Sequence, residues 1–272
     1  MRSDRILLAH GSGGTMMKEL VEELFVAEFG DDVLRRMDDA AALPFPGSRL
    51  AFSTDTYVVH PLFFPGGDIG RLAICGTVND VATSGATPLY VSVGFVLEEG
   101  MPVEELKRII VSMHDAAAEA GVRIVTGDTK VVERGKGDGV FITTTGVGVV
   151  PPGRELSGSR ARPGDAILVS GTLGDHGMAI MAGRESLGFE SPIVSDTAAL
   201  HGLIECMLNS GAAIRTLRDP TRGGLAATLN EIARQLGQPE LTKQSEADRA
   251  RSVIATTAHI PTDIRPLYPS RI

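Results

Sequence analysis

The spacing of apolar and polar positions divides this chain into segments of different period. In TMMKELVEELFVAEFG (15–30), Met16, Leu20 and Leu24, with Val21 and Phe25, recur at i, i+4, while Lys18, Glu19, Glu22 and Glu23 take the other face. That pattern predicts an amphipathic helix, which Thr15 can cap and Gly30 can end. MPVEELKRIIVSMHDAAAEAG (101–121) predicts a second helix, with Pro102 in its first turn, Leu106, Ile109, Ile110 and Met113 on one stripe, and Gly121 after its end. Strand composition marks 50–59, with Asp55 in its middle, and 88–97. VRIVTGDTK and GVFITTTGVGVV predict strands flanking a charged, glycine-rich loop at 127–139. RLAICGTVNDVAT (71–83) leaves helix and strand both open, because small residues and Val blur its period.

Past 150 the chain turns to PPGRELSGSRARPGD, whose Pro, Gly, Ser and Arg mark a boundary. AILVSG (166–171) then predicts a short, continuously apolar strand, and helical stretches follow near 176–187, 197–209 and 222–236. Leu225, Leu229, Ile232, Ala233 and Leu236 form the stripe of the last. From about 238 the chain is polar, proline-containing and without period, which predicts a poorly ordered tail. The expected organisation is an N-terminal α/β domain at 1–150, a smaller α/β domain at 151–237, and an atypical tail at 238–272.

With 272 residues the chain is long enough for about two domains, and 43% hydrophobic content supports a real core. A second domain stopping near 237, with one clear strand and three helices, is incomplete and thin for a core of its own. Its net charge of −8 argues against nucleic-acid backbones and anionic membrane surfaces as partners. No apolar run approaches the roughly 20 residues of a membrane span, and the start lacks the pattern of a secretory signal. The expected location is the cytoplasm. Two distant cysteines, Cys75 and Cys206, offer neither a zinc motif nor a disulfide framework.

Acidic residues stand at the ends of apolar runs: Asp38, Asp39, Asp55, Asp80 beside Asn79, and Asp128. Magnesium takes oxygen ligands, often one or two carboxylates plus substrate phosphates. Glycine loops leading into helices offer N–H groups to phosphate, and His10-Gly11-Ser12-Gly13-Gly14 precedes the first helix. Lys130, two residues after Asp128, could neutralise phosphate charge. These residues also admit a plainer reading as turn residues and caps, with His10 pairing locally. No GxxxxGK[ST] or GxGxxG motif is present.

The combination of stretches is more specific than any one of them. LLAHGSGG, DDAAAL, TVNDVATSGATPLY, TGDTKVVERG, ARPGDAILVSGTLGDHGMAI, RESLGFE and LRDPTRGGLAATLNEIA occur in this order over residues 5–237. Together they resemble the HypE family of hydrogenase expression/formation proteins, in the PurM-like (AIR synthetase-like) superfamily. The resemblance implies a two-domain PurM-like fold, paired through its N-terminal domains into a homodimer. It implies ATP-dependent dehydration of a thiocarboxamide on a C-terminal cysteine to a thiocyanate, with HypF as carbamoyl donor and a HypC–HypD complex as acceptor. It further implies magnesium on Asp38, Asp55, Asp80 and Asp128. ATP would contact Gly11, Ser12, Gly13, Gly14, Asp39, Asn79, Gly127, Asp219 and Arg222. Lys130, deprotonated in a desolvated site, would be the base, with His10 as its alternative. Family members continue past the match and end in PRIC, whereas this chain ends PSRI. A chain that dimerises and binds ATP or partners without turnover is therefore the other expectation.

Overall fold

The computed structural model describes residues 4–11, 15–31, 45–46, 49–184, 192–221, 224–236 and 254–257. The first helical stretch runs through α1 (Thr15–Leu20), a π-helical turn at Val21–Val26 and α2 (Ala27–Phe29), and Gly30 ends it in the left-handed region. Then come β1 (Leu50–Tyr57), a small hairpin of β2 (Phe63–Phe64) and β3 (Gly67–Asp68), α3 (Ile69–Thr83), β4 (Thr87–Glu98), α4 (Val103–Ala120), β5 (Arg123–Val132) and β6 (Val140–Val149). The four long strands form one sheet in the order β1-β6-β4-β5. β4 and β5 are parallel, as the α4 crossover between them requires, and the other pairs are antiparallel.

The segment left ambiguous by its sequence, 71–83, is helical, and its burial explains the ambiguity. α3 lies between the sheet, α4 and the second half of the molecule, so Ala73, Ile74, Cys75, Val78, Val81 and Ala82 are all buried. A helix buried on several sides shows no single apolar stripe. Asp68 caps it, its Oδ1 accepting from the N–H groups of Gly70 (2.7 Å) and Arg71 (3.1 Å). Close approach to the sheet depends on glycine: a Cβ on Gly148 would lie 2.6 Å from Val81 and one on Gly146 2.8 Å from Thr77.

The core of this half forms between α3, α4, the N-terminal helix and one face of the sheet, with Phe25 and Phe95 ring centroids 5.1 Å apart. The opposite face carries the exposed Phe52 and a ladder of threonine pairs, Thr54 with Thr145 and Thr56 with Thr143.

The second half contains β7 (Leu168–Ser170), α5 (Asp175–Ala182), α6 (His201–Asn209), β8 (Thr216–Leu217), α7 (Gly224–Gln235) and β9 (Ile254–Thr257). Within the stretch expected to be a poorly ordered tail, Ile254–Thr257 are described. These residues form the middle strand of a parallel sheet ordered β7-β9-β8, and Ile254, Thr256 and Thr257 suit a strand. The rest of 238–272 lies outside the described residues. The two halves meet where Ala82 of α3 packs with Ile204 and Leu217, and Arg154 holds Glu205 by two bonds of 2.7 and 2.6 Å. Among the described residues, no helix is long and apolar enough to cross a membrane.

Candidate functional site

The last turns of α3 carry Asn79 and Asp80 to the junction of the two halves. Ser53 Oγ, on the inner face of β1, donates to Asp80 Oδ2 at 3.0 Å. Asp55 lies two residues further along that strand, on the same face by the alternation of side chains. Asp219, after β8, arrives from the second half. Burial pushes the Asp80 carboxyl above its ordinary range; the Ser53 hydrogen bond opposes that shift and the Asp55 charge adds to it. Asp219 is pushed up to about 6, first by burial, against an Asn79 hydrogen bond, with the charges of Asp80 and Asp196 adding to the rise. Carboxylates that raise one another in this way favour an arriving cation.

Asn79 is 5% exposed and bonded to the second half on both sides of its amide. Its Oδ1 accepts from the Leu200 N–H at 2.8 Å, and its Nδ2 donates to the Ala198 carbonyl at 3.0 Å. Residues 192–200 thus form a strap clamped across the first half. Further along it, the Ser195 N–H donates to the Pro65 carbonyl at 2.8 Å, and Arg71 Nε donates to the Thr197 carbonyl at 3.4 Å. His176, in the first turn of α5, places Nδ1 3.0 Å from Ser195 Oγ and packs edge-on against Phe64. Burial holds its imidazole below the usual histidine range.

Asp128 and Lys130 stand elsewhere. β5 is the sheet edge opposite β1, about 14 Å away at three strand spacings. The register shift at Val91/Ser92 pairs Gly127 with Val93 and Thr129 with Phe95 on the core face. Asp128 and Lys130 therefore project from the other face. Lys130 Nζ bonds both Asp128 oxygens, at 3.0 and 2.9 Å, with Lys130 63% and Asp128 67% exposed. That pairing holds the Asp128 carboxyl below its usual range. Within one chain, Asp128 does not join the other acids, and Lys130 lacks the desolvation its expected role as a free base requires.

Gly127 has a packing reason for its identity: a Cβ there would lie 2.3 Å from the Val93 carbonyl oxygen. His10 is buried in the turn Leu8–Gly11, its Nδ1 accepting from the Leu7 N–H at 2.9 Å. Burial lowers its proton affinity, and the plainer reading of it as a local partner matches this geometry. Gly11 closes the same turn. Ser12, Gly13, Gly14, Asp38, Asp39 and Arg222 lie outside the described residues.

Of the expected magnesium ligands, Asp55 and Asp80 share a neighbourhood, Asp128 is remote, and Asp38 lies outside the described residues. Among the described residues, no three acidic, histidine or cysteine side chains group closely enough to hold an ion alone. The arrangement fits magnesium arriving with phosphates, which needs one or two carboxylates rather than a protein cage. Sequence reasoning missed Ser53, His176, Ser195 and Asp196. The period-2 alternation of β1 could have paired Ser53 with Asp55; the strap residues carry no such signal.

The fold and its junction define a class. Residues 37–150 match the family of AIR synthase related proteins, N-terminal domain, and residues 162–238 match the corresponding C-terminal domain. Within that class the chain belongs to the HypE carbamoyl dehydratase family. It is 59% identical over 237 residues to carbamoyl dehydratase HypE of Azotobacter vinelandii, covering 87% of this chain and 70% of that protein. Against HypE of Escherichia coli K12, identity is 51% over 239 residues, with 86% and 71% covered. A crystal structure of the hydrogenase maturation protein HypE in complex with ATP superposes with a TM-score of 0.82 at 53% identity, covering 85% of this chain and 68% of that one. A HypE–HypF complex superposes at 0.68 with 54% identity, covering 80% and 70%.

Proposed function

We propose that this chain binds ATP with magnesium at the junction of its two halves and serves as a HypE-type carbamoyl dehydratase in hydrogenase maturation. The observation that carries this is Asp80, held by Ser53 at 3.0 Å where the strap of the second half bonds the neighbouring Asn79, with the Asp80 charge raising the Asp219 carboxyl from the second half. The likeness to a HypE bound to ATP supports the nucleotide.

Magnesium, when bound, would neutralise charge on the transferring phosphoryl group. Asp80, Asp55 and Asp219 would hold it, with Ser53 fixing the Asp80 rotamer. The proposed substrate is a thiocarboxamide on a C-terminal cysteine. Its oxygen leaves as phosphate while its nitrogen loses both hydrogens, giving a thiocyanate. A base must accept those protons. Lys130 stands about 14 Å from this site within one chain, so it suits that role where pairing of two N-terminal halves, over the outer sheet face with its exposed Phe52, brings it to the other subunit's site and covers it. This reading therefore includes a homodimer through the N-terminal half. It also includes HypF as donor, supported by the likeness to a HypE–HypF complex, a HypC–HypD complex as acceptor, and a cytoplasmic setting.

The two cysteines favour a second reading. Cys75 is buried in α3, its thiol pushed up to about 12 by burial, and Cys206 lies within α6. Neither suits a mobile carrier thiol, so binding of ATP and partners without turnover is the alternative. Incubation with ATP, magnesium and a peptide ending in a thiocarboxamide-modified cysteine separates the two. Loss of one water from the peptide with phosphate release is expected from the first, and ATP binding alone from the second.

A further inference from the structure

Resting on that nucleotide site, we infer that Asn79 is a positioning residue: it latches the strap 192–200 beside Asp80 at the phosphate end of the site and does not itself bind ligand. A primary amide has two donor hydrogens and one acceptor oxygen. In Asn79 the nitrogen donates to the Ala198 carbonyl at 3.0 Å and the oxygen accepts from the Leu200 N–H at 2.8 Å, so both ends of the amide hold the strap. The side chain is 5% exposed, so a ligand would have to displace the strap to reach it.

The latch joins pieces far apart in the chain. Asn79 precedes Asp80 on α3, while Ala198 and Leu200 lead into α6. The strap is held upstream by the Ser195–Pro65 bond, by Ser195 Oγ to Thr197 Oγ1 at 2.8 Å, and by His176. Releasing Asn79 would free its downstream end next to Asp80. The strap and the nucleotide are then two occupants of one equilibrium, and their coupling is reciprocal: what loosens the strap weakens ATP, and ATP tightens the strap.

The test measures hydrogen exchange over 192–200 and ATP affinity with magnesium, on the full chain, for Asn79→Ala and Asp80→Asn. Asn79→Ala is expected to exchange at least tenfold faster over the strap without nucleotide and to bind ATP about tenfold more weakly. It is also expected to lose the slowing of strap exchange that ATP produces in the unaltered chain. Asp80→Asn is expected to weaken ATP while leaving the nucleotide-free strap protected. Weak ATP binding by Asn79→Ala with an unchanged strap would make Asn79 a direct ligand and overturn the proposal, as would unchanged ATP binding with a loosened strap. Failure of the underlying site shows separately, as Asp80→Asn binding ATP like the unaltered chain. Should Asn79→Ala not fold, Arg71→Ala removes the bond to the Thr197 carbonyl that holds the same strap, with Asn79 in place. It is expected to shift both readouts in the same direction, and ATP affinity that ignores a loosened strap would again overturn the latch.

Discussion

Ser53 on β1 donates a 3.0 Å hydrogen bond to Asp80 on α3, fixing a half-buried carboxylate at the junction of the two halves of the molecule. Burial has already raised that carboxyl, and the hydroxyl partly restores the charged form a cation needs. Ser53→Ala removes the bond without adding bulk. It is expected to weaken magnesium-dependent ATP binding by roughly three- to tenfold, in line with the net contribution of one ordinary hydrogen bond, while ATP binding without magnesium changes little. Calorimetry with and without the metal checks it.

His10 sets a pH dependence. Burial opposes its protonation, and its Nδ1 must stay unprotonated to accept from Leu7. The folded chain therefore binds fewer protons here than the unfolded chain just below the ordinary histidine value near 6.5. This contribution to stability is complete above that pH and is lost as pH falls. His10→Asn, which keeps an acceptor, is expected to show a smaller drop in melting temperature between pH 7.5 and pH 5.5 than the unaltered chain.

Gly127 tests packing against ligand binding. A methyl 2.3 Å from the Val93 carbonyl forces β4 and β5 apart. Gly127→Ala is expected to cost about 1–3 kcal/mol of stability, the usual range for overpacking, measured by urea unfolding. Unchanged stability with lost ATP binding would return Gly127 to the site.

These positions show what the sequence could and could not reveal. α4 was legible because it is amphipathic, with its stripe on the core and Gly121 ending it in the left-handed region. α3 was not, because it is buried on several sides. Asp80 was found as an acid in an apolar run. Asp128 was found by the same rule but belongs to another place. The register shift near Val125 inserts one residue, and such an insertion moves every following side chain to the opposite face. Nothing in TGDTK announces that shift. The strap escaped because Asn79, Ala198 and Asp219 meet only in the folded chain.

Lys130 separates chemistry from stability. Its pairing with Asp128 is solvent-exposed, and such pairs contribute about 0–1 kcal/mol. Lys130→Ala is expected to leave the melting temperature within a few degrees of the unaltered chain while abolishing dehydration of the thiocarboxamide peptide. Retained dehydration would remove Lys130 as the base.

The most direct measurement of the central claim is ATP binding by calorimetry, with and without magnesium, for the unaltered chain and Asp80→Ala. Binding that requires magnesium and weakens at least tenfold in Asp80→Ala, with the variant still folded, is the result predicted. Binding of equal strength in both chains would contradict a phosphate site at the junction of α3 and β8.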